Sequence, residues 1–346
     1  MRKIAFFDAK PYDRLYFDKA AKDQYQLKYI ESKLTADTAA LAWGCEGVCA
    51  FVNDAVDAQA IQTLHKLGVR VLAMRSAGYS NVDVKAAYQK LTIVRVPAYS
   101  PYAVAEHAMA LALCLNRKLH KAYNRTRDFN FSLVGLTGMD FHGKTAGVIG
   151  TGKIGRVFID ICKGFGMRVL AYDPYPAKDA DFEYVSLDRL LSGADLISLH
   201  CPLTEQSRYL LNQDAFARMK RGMLLVNTSR GQLIDTEALL DALNDGTVRG
   251  AGLDVYEEEA DFFFEDLSDT GVRDDTLSLL VGRPNVILTS HQAFLTEEAL
   301  ARIAEETMEN LNRFFSGGEL PNEICYRCDE EKVRENCRKN RLERCF

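Results

Sequence analysis

Three residues that together could run a proton relay stand just past apolar runs in the second half of the chain: Arg230 in "NTSRGQLID", Glu259 in "DVYEEEAD" and His291 in "TSHQAFLT". A guanidinium can grip a carboxylate through two parallel hydrogen bonds and lean on a neighbouring carbonyl oxygen. An imidazole gives and takes a proton near neutral pH, and a carboxylate on its other ring nitrogen fixes its tautomer and favours the charged ring. That is equipment suited to hydride transfer to a carbonyl: one cation to hold and polarise the substrate, one acid for the developing alkoxide. Each residue alone has an ordinary explanation, as a surface ion pair, a satisfied structural histidine or a solvated acid. Their common place at strand ends, beside the loop described next, is what favours chemistry.

That loop is "GVIGTGKIGRVF", where Gly150-x-Gly152-x-x-Gly155 follows an apolar run and opens a helix. The first glycine permits the turn, the second lets a pyrophosphate approach the backbone, and the third lets the helix pack closely, with the helix N-terminus facing the anion. The next apolar run ends in Asp173, the expected separation for an acid that accepts from a ribose 2′-hydroxyl. Such an acid repels a 2′-phosphate, so NAD is expected over NADP. The same stretch also reads Gly147-x-x-x-x-Gly152-Lys153, but Ile154 stands where a triphosphate-binding loop needs a magnesium-binding hydroxyl. We reject that reading.

Positioning these groups requires strands that end together. Apolar runs alternate with helical patterns throughout, the mark of parallel sheets with crossover helices. Strands are expected near 3–8, 26–30, 48–52, 69–74 and 92–96 in a first α/β unit, then near 145–150, 167–173, 195–199, 223–228, 250–255 and 286–290 in a doubly wound sheet. Between them "YSPYAVAEHAMALALCLNRKLH" starts a long helix, with Ser100 as cap and Pro101 in its first turn, and marks a domain joint. His107 and His120 are expected on that helix, His65 and His142 in connections, and His200 on the cofactor side or in a structural role. The acidic segment 257–280, with Phe262, Phe263 and Phe264, reads as a packed excursion.

The 346 residues suit two domains, 47% of them are hydrophobic, and the net charge of −5 is spread along the chain, which points to a small-molecule partner and away from nucleic acid or membrane. "MRKIAFFDAK" carries no secretory pattern, so a cytoplasmic place is expected. Of nine cysteines, Cys45, Cys49, Cys114, Cys162 and Cys201 lie in apolar segments and read as reduced core residues. Cys325, Cys328, Cys337 and Cys345 crowd the end; their unequal spacing and the lack of a histidine there argue against zinc, and no metal is expected.

"GKTAGVIGTGKIG", "LHCPLT", "VNTSRGQLID", "GLDVYEEE" and "TSHQAFLT", in this order, resemble the D-isomer-specific 2-hydroxyacid dehydrogenases, among them most of all the fermentative D-lactate enzymes. The resemblance runs from about Met1 to Asn322. It implies two Rossmann-like or flavodoxin-like parallel-sheet domains of α/β class. The NAD domain (101–296) is inserted into a discontinuous substrate domain (1–100 and 297–322) that closes on it, and 323–346 is an extension. It also implies that Arg230, Glu259 and His291 form the catalytic set; Glu259 is singled out from Glu257 and Glu258 because the family's glutamate is the fifth residue after the aspartate, here Asp254. By the same match Lys153 and Ile154 (backbone), Cys201, Pro202, Thr228, Ser229 and Asp254 contact the cofactor. Ala77 and Gly78 offer amides to the substrate carboxylate, Tyr99 reaches the pocket and Phe294 walls it. Homodimers or homotetramers are implied. The competing readings are a reductase of bulkier 2-oxoacids and, in another class, an NAD-sensing corepressor-like scaffold.

Overall fold

The computed structural model describes residues 1–259 and 262–330. In chain order the elements are β1 (Arg2–Phe6), α1 (Pro11–Ala21), β2 (Tyr25–Tyr29), β3 (Gly47–Ala50), α2 (Ala58–Lys66), β4 (Val71–Met74), α3 (Val84–Ala87) and β5 (Thr92–Arg95). Then come α4 (Pro101–Arg117), α5 (Leu119–Arg127), β6 (Thr145–Ile149), α6 (Lys153–Gly164), β7 (Arg168–Tyr172), β8 (Glu183–Tyr184), α7 (Leu187–Gly193), β9 (Leu196–Leu199) and α8 (Gln213–Ala217). The rest are β10 (Met223–Asn227), α9 (Thr236–Asp245), β11 (Val248–Leu253), α10 (Asp275–Val281), β12 (Val286–Leu288), α11 (Glu297–Ser316) and β13 (Glu323–Ile324). The contacts divide into two units, Met1–Ser100 with Thr296–Phe346, and Pro101–Leu295.

The first unit is a sheet in the order β13-β5-β4-β3-β1-β2, parallel except for β13, which runs antiparallel to β5. Its strands β3 and β4 are buried at every residue and read as unbroken apolar runs, as strands covered on both faces do. Glu323 and Ile324, which the sequence reading assigns to the C-terminal extension, are thus the edge of this sheet. A two-residue strand is too short to show periodicity, so the boundary drawn at 322 falls inside the fold.

The second unit is a wholly parallel sheet, β12-β11-β10-β9-β6-β7-β8, with the order reversing between β6 and β9. Helix α4 starts at Pro101 as expected, but it ends at Arg117, where Lys118 turns left-handed (φ 52°). His120 therefore lies on α5 and not on the long helix. His65, expected in a connection, lies on α2. Helix α4 presses close to β11: a Cβ at Gly252 would lie 3.0 Å from the Cβ of Leu111. The phenylalanines of the acidic excursion do pack, with Phe263 buried in the core and Phe262 and Phe264 against it. Cys337 and Cys345 lie outside the described residues. Among the described residues no helix is long and apolar enough to cross a membrane.

Candidate active site

Gly150 follows β6 and His200 follows β9, so they bracket the point where the strand order of the second unit reverses, the place where such sheets open a crevice. Gly150 has φ +95°, and a Cβ there would sit 2.6 Å from the His200 carbonyl. A Cβ at Gly155 would sit 2.0 Å from the carbonyl oxygen of Gly150, whereas one at Gly152 would meet nothing within 4 Å. Two glycines are thus forced by packing, and the third keeps open the space that a pyrophosphate would occupy. Gly152 is also the N-cap of α6 and brings no side-chain acceptor to the first amides of that helix, near Lys153 and Ile154.

Asp173, just past β7, is built in place. Its Oδ2 accepts from the Thr151 amide at 2.7 Å and the Thr151 hydroxyl at 2.9 Å, and its Oδ1 from the Tyr175 amide at 2.9 Å. Burial opposes its ionisation, but these donors outweigh it and hold the carboxyl below its ordinary range. An anion fixed there suits a ribose diol.

Around the crevice, His200 is half-buried, with Nε2 2.9 Å from Ser198 Oγ, its ring 4.9 Å from that of Phe158, and a buried Nδ1 that has no hydrogen-bond partner among the described residues. Burial pushes its pKa down to about 3, so it is a neutral wall behind the glycine loop. The Cys201 thiol is pushed up to about 11 by burial, and Pro202 is exposed. Ser229 donates from Oγ to the Leu199 carbonyl at 2.8 Å. Thr228 is buried with an Oγ1 that has no partner, a hydroxyl left for a ligand at the carboxyl end of β10. This donor set fits a dinucleotide.

Past β10, β11 and β12 lie the three relay candidates. Arg230 sits in extended backbone before a tight turn; its carbonyl accepts from Asn227 Nδ2 at 2.9 Å and its Nη1 donates to the Ser229 carbonyl at 2.6 Å. The following Gly231 lets this loop approach the Glu259 loop, since a Cβ there would lie 2.1 Å from the backbone of Tyr256. His291 Nδ1 lies 2.8 Å from Glu259 Oε1, with both side chains about one-fifth exposed (20% and 23%). Glu259 is held in turn by the Tyr256 amide on Oε2 at 3.0 Å. Its two neighbours are occupied differently: Glu257 accepts from the Thr236 amide and hydroxyl at the start of α9, and Glu258 is exposed. With Nδ1 taken by the carboxylate, Nε2 is the ring nitrogen left for proton transfer.

Asp254, expected as a cofactor contact, follows β11. It is 0% exposed and its carboxylate is wrapped by residues 289–293. Phe294 is buried. In the first unit, the carbonyls of Ala77 and Gly78 accept from Arg95 Nη1 and Ser76 Oγ, each at 2.8 Å, while neither amide has an acceptor among the described residues. Arg75, buried beneath this loop, donates to the Asp8 carbonyl at 2.8 Å and lies 4.5 Å from the Phe6 ring and 4.7 Å from the Phe51 ring. Tyr99 is half-buried in the segment after β5. Gly231, Asn227 and Arg75 were not found from the sequence, because a bracing residue carries no motif of its own.

Residues 109–293 match the family described as D-isomer specific 2-hydroxyacid dehydrogenase, NAD binding domain. The chain is 50% identical over 327 residues to a D-lactate dehydrogenase of Escherichia coli, covering 93% of this chain and 99% of that one. An apo-structure of D-lactate dehydrogenase from Escherichia coli superposes with a TM-score of 0.86 at 48% identity, over 93% of this chain and 99% of that chain. An NAD-complexed D-isomer specific 2-hydroxyacid dehydrogenase from Lactobacillus delbrueckii ssp. bulgaricus superposes with a TM-score of 0.79 at 30% identity, over 93% and 100%.

Proposed function

Since the chain belongs to the D-isomer-specific 2-hydroxyacid dehydrogenases, NAD-dependent oxidoreductases acting on small 2-hydroxyacids, we propose that it is a D-lactate dehydrogenase working in the direction of pyruvate reduction. The observation that supports this most is the 50% identity to a D-lactate enzyme over nearly its whole length.

Bound NADH supplies the hydride; Gly150, Gly152, Gly155, Thr228, Ser229 and Asp173, with Cys201 and Pro202 alongside, would hold it. Arg230 grips the substrate carboxylate and polarises the carbonyl, so that charge building on the oxygen meets a fixed cation. The free amides of Ala77 and Gly78 add donors to the carboxylate, and Tyr99 and Phe294 shape the apolar side. His291 Nε2 gives the proton to the new alkoxide and recovers it in the reverse reaction. Glu259 steadies the charged ring through Nδ1 and fixes the tautomer of the neutral one.

A second copy of the chain is the proposed protein partner. Phe131 and Leu133, 71% and 80% exposed, lie in a short stretch with the exposed Phe129 and Val134, an apolar surface of the kind that partners cover.

The test follows NADH absorbance with pyruvate, 2-oxobutyrate, 2-oxoisocaproate and phenylpyruvate and determines product chirality. The proposal requires D-lactate from pyruvate, with kcat/KM at least about tenfold above that for 2-oxoisocaproate, the discrimination a few methylenes can supply. A reversed order would make this a reductase of bulkier 2-oxoacids, and NADH binding without any turnover would favour the scaffold reading.

A further inference from the structure

His291 is held in a conformation that its side chain does not prefer. Its φ is +51°, in the left-handed region that a non-glycine residue enters only when its surroundings impose it. Asp254 is what imposes it. The His291 amide donates to the Asp254 carbonyl at 2.7 Å, the Gln292 amide to Asp254 Oδ1 at 2.9 Å and the Ala293 amide to Oδ2 at 2.9 Å. The Thr289 hydroxyl donates to Oδ1 at 2.5 Å. Residues 289–293 are thus folded around one carboxylate that is 0% exposed.

A buried carboxylate is held in place by the donors around it. Across from it stands His107 on α4. Its Nε2 is 3.1 Å from Thr289 Oγ1 and 3.4 Å from Asp254 Oδ1, and its side chain is 19% exposed. It is the one titratable group within ion-pair distance of Asp254 among the described residues. Leu111, one turn beyond His107 on α4, packs closely on Gly252 of β11, so this ring stands near the residue that follows β11.

We propose that His107 is a positioning residue for the acid–base histidine: through Thr289 and the Asp254 carboxylate it holds the 289–293 turn, and with it the His291 ring, in the backbone geometry that lets Nδ1 meet Glu259. The proposal rests on the assignment of His291 as the proton donor. The imidazole of His107 touches no reacting atom. Its effect is on where the reacting ring stands, and a misplacement of about 1 Å at a reacting group can cost about 100-fold in rate.

The experiment compares the full chain with His107→Leu, His107→Gln, Thr289→Val and His291→Ala. It reads kcat and KM for pyruvate, NADH Kd by fluorescence, Tm, and the deuterium isotope effect from NADH labelled at the transferred position. His107→Leu should lower kcat about 10- to 100-fold and raise the isotope effect, with NADH Kd within about threefold of wild type. His107→Gln, which keeps a donor near the position of Nε2, should recover most of kcat. Thr289→Val should lower kcat in the same way, so the proposal stays testable if His107→Leu does not fold. The proposal is overturned if His107→Leu keeps kcat within about twofold while only Tm falls, or if Gln is no better than Leu. If His291→Ala turns over like wild type, the proton-donor assignment itself is wrong, a result the His107 variants cannot mimic.

Discussion

Glu259→Gln tests the reading of the relay most directly. The 2.8 Å contact joins Oε1 to Nδ1 of a ring that is charged when it is ready to donate, and each side chain is about one-fifth exposed (20% and 23%), so solvent screens the pair only in part. A hydrogen bond to a charged group is worth about 1.5–3 kcal/mol, and the neutral one that glutamine can keep about 1 kcal/mol. The difference, about 0.5–2 kcal/mol, corresponds at about 1.4 kcal/mol per tenfold to a fall in kcat of about 2- to 30-fold. KM should move little, because the carboxylate meets the ring and not the substrate. Steady-state NADH oxidation with saturating pyruvate measures it. Glu257→Gln is the control: its carboxylate serves the Thr236 amide and hydroxyl, so Tm should fall while kcat stays at the wild-type value. The reasoning fails if Glu259→Gln keeps kcat within about twofold, or if Glu257→Gln or Glu258→Gln carries the loss instead.

The glycine loop predicts a contrast within three residues: Gly152→Ala should fold with unchanged Tm yet bind NADH at least about tenfold more weakly, because its methyl enters the open pyrophosphate space. Gly155→Ala should not fold stably, its Cβ being 2.0 Å from the Gly150 carbonyl; equal Tm values for the two would contradict the geometry. His200 predicts a pH dependence. Burial holds its pKa down to about 3 in the fold, against the ordinary 6.5 that it regains on unfolding, so the unfolded chain binds more protons between those values and stability falls as pH drops below 6.5. Denaturant titrations at about pH 7 and about pH 4.5, on either side of the ordinary histidine range, should show His200→Asn losing less stability across that interval than wild type. Equal losses would mean that the ring is charged in the fold. Phe131→Asp combined with Leu133→Asp should sediment at the monomer mass of 38.8 kDa while wild type sediments at a multiple of it. A monomeric wild type would leave that apolar stretch unexplained.

What the sequence made legible, and what it did not, follows from the range of each interaction. Eleven strands lie within a residue or two of their expected places because buried parallel strands are continuous apolar runs. Glu183–Tyr184 and Glu323–Ile324 escape, since two residues show no period and exist as strands only through their partners β7 and β5. The end of α4 escapes too: Lys118 turns left-handed without a glycine or proline to announce it. The strand-end positions could be grouped as a candidate site because the topology of a doubly wound sheet gathers them at one edge before any coordinate is known. The bracing of that site could not be read. His107 and Thr289 are 182 residues apart and meet only because α4 crosses the sheet beside β11, and His291 breaks a local backbone rule that its own residue type would predict it to keep. A strained residue at the proposed point of proton transfer marks a conformation that the neighbourhood supplies. The groups proposed to donate and grip are therefore written in motifs, whereas the group proposed to position His291, His107, is written only in the packing of α4 against β11.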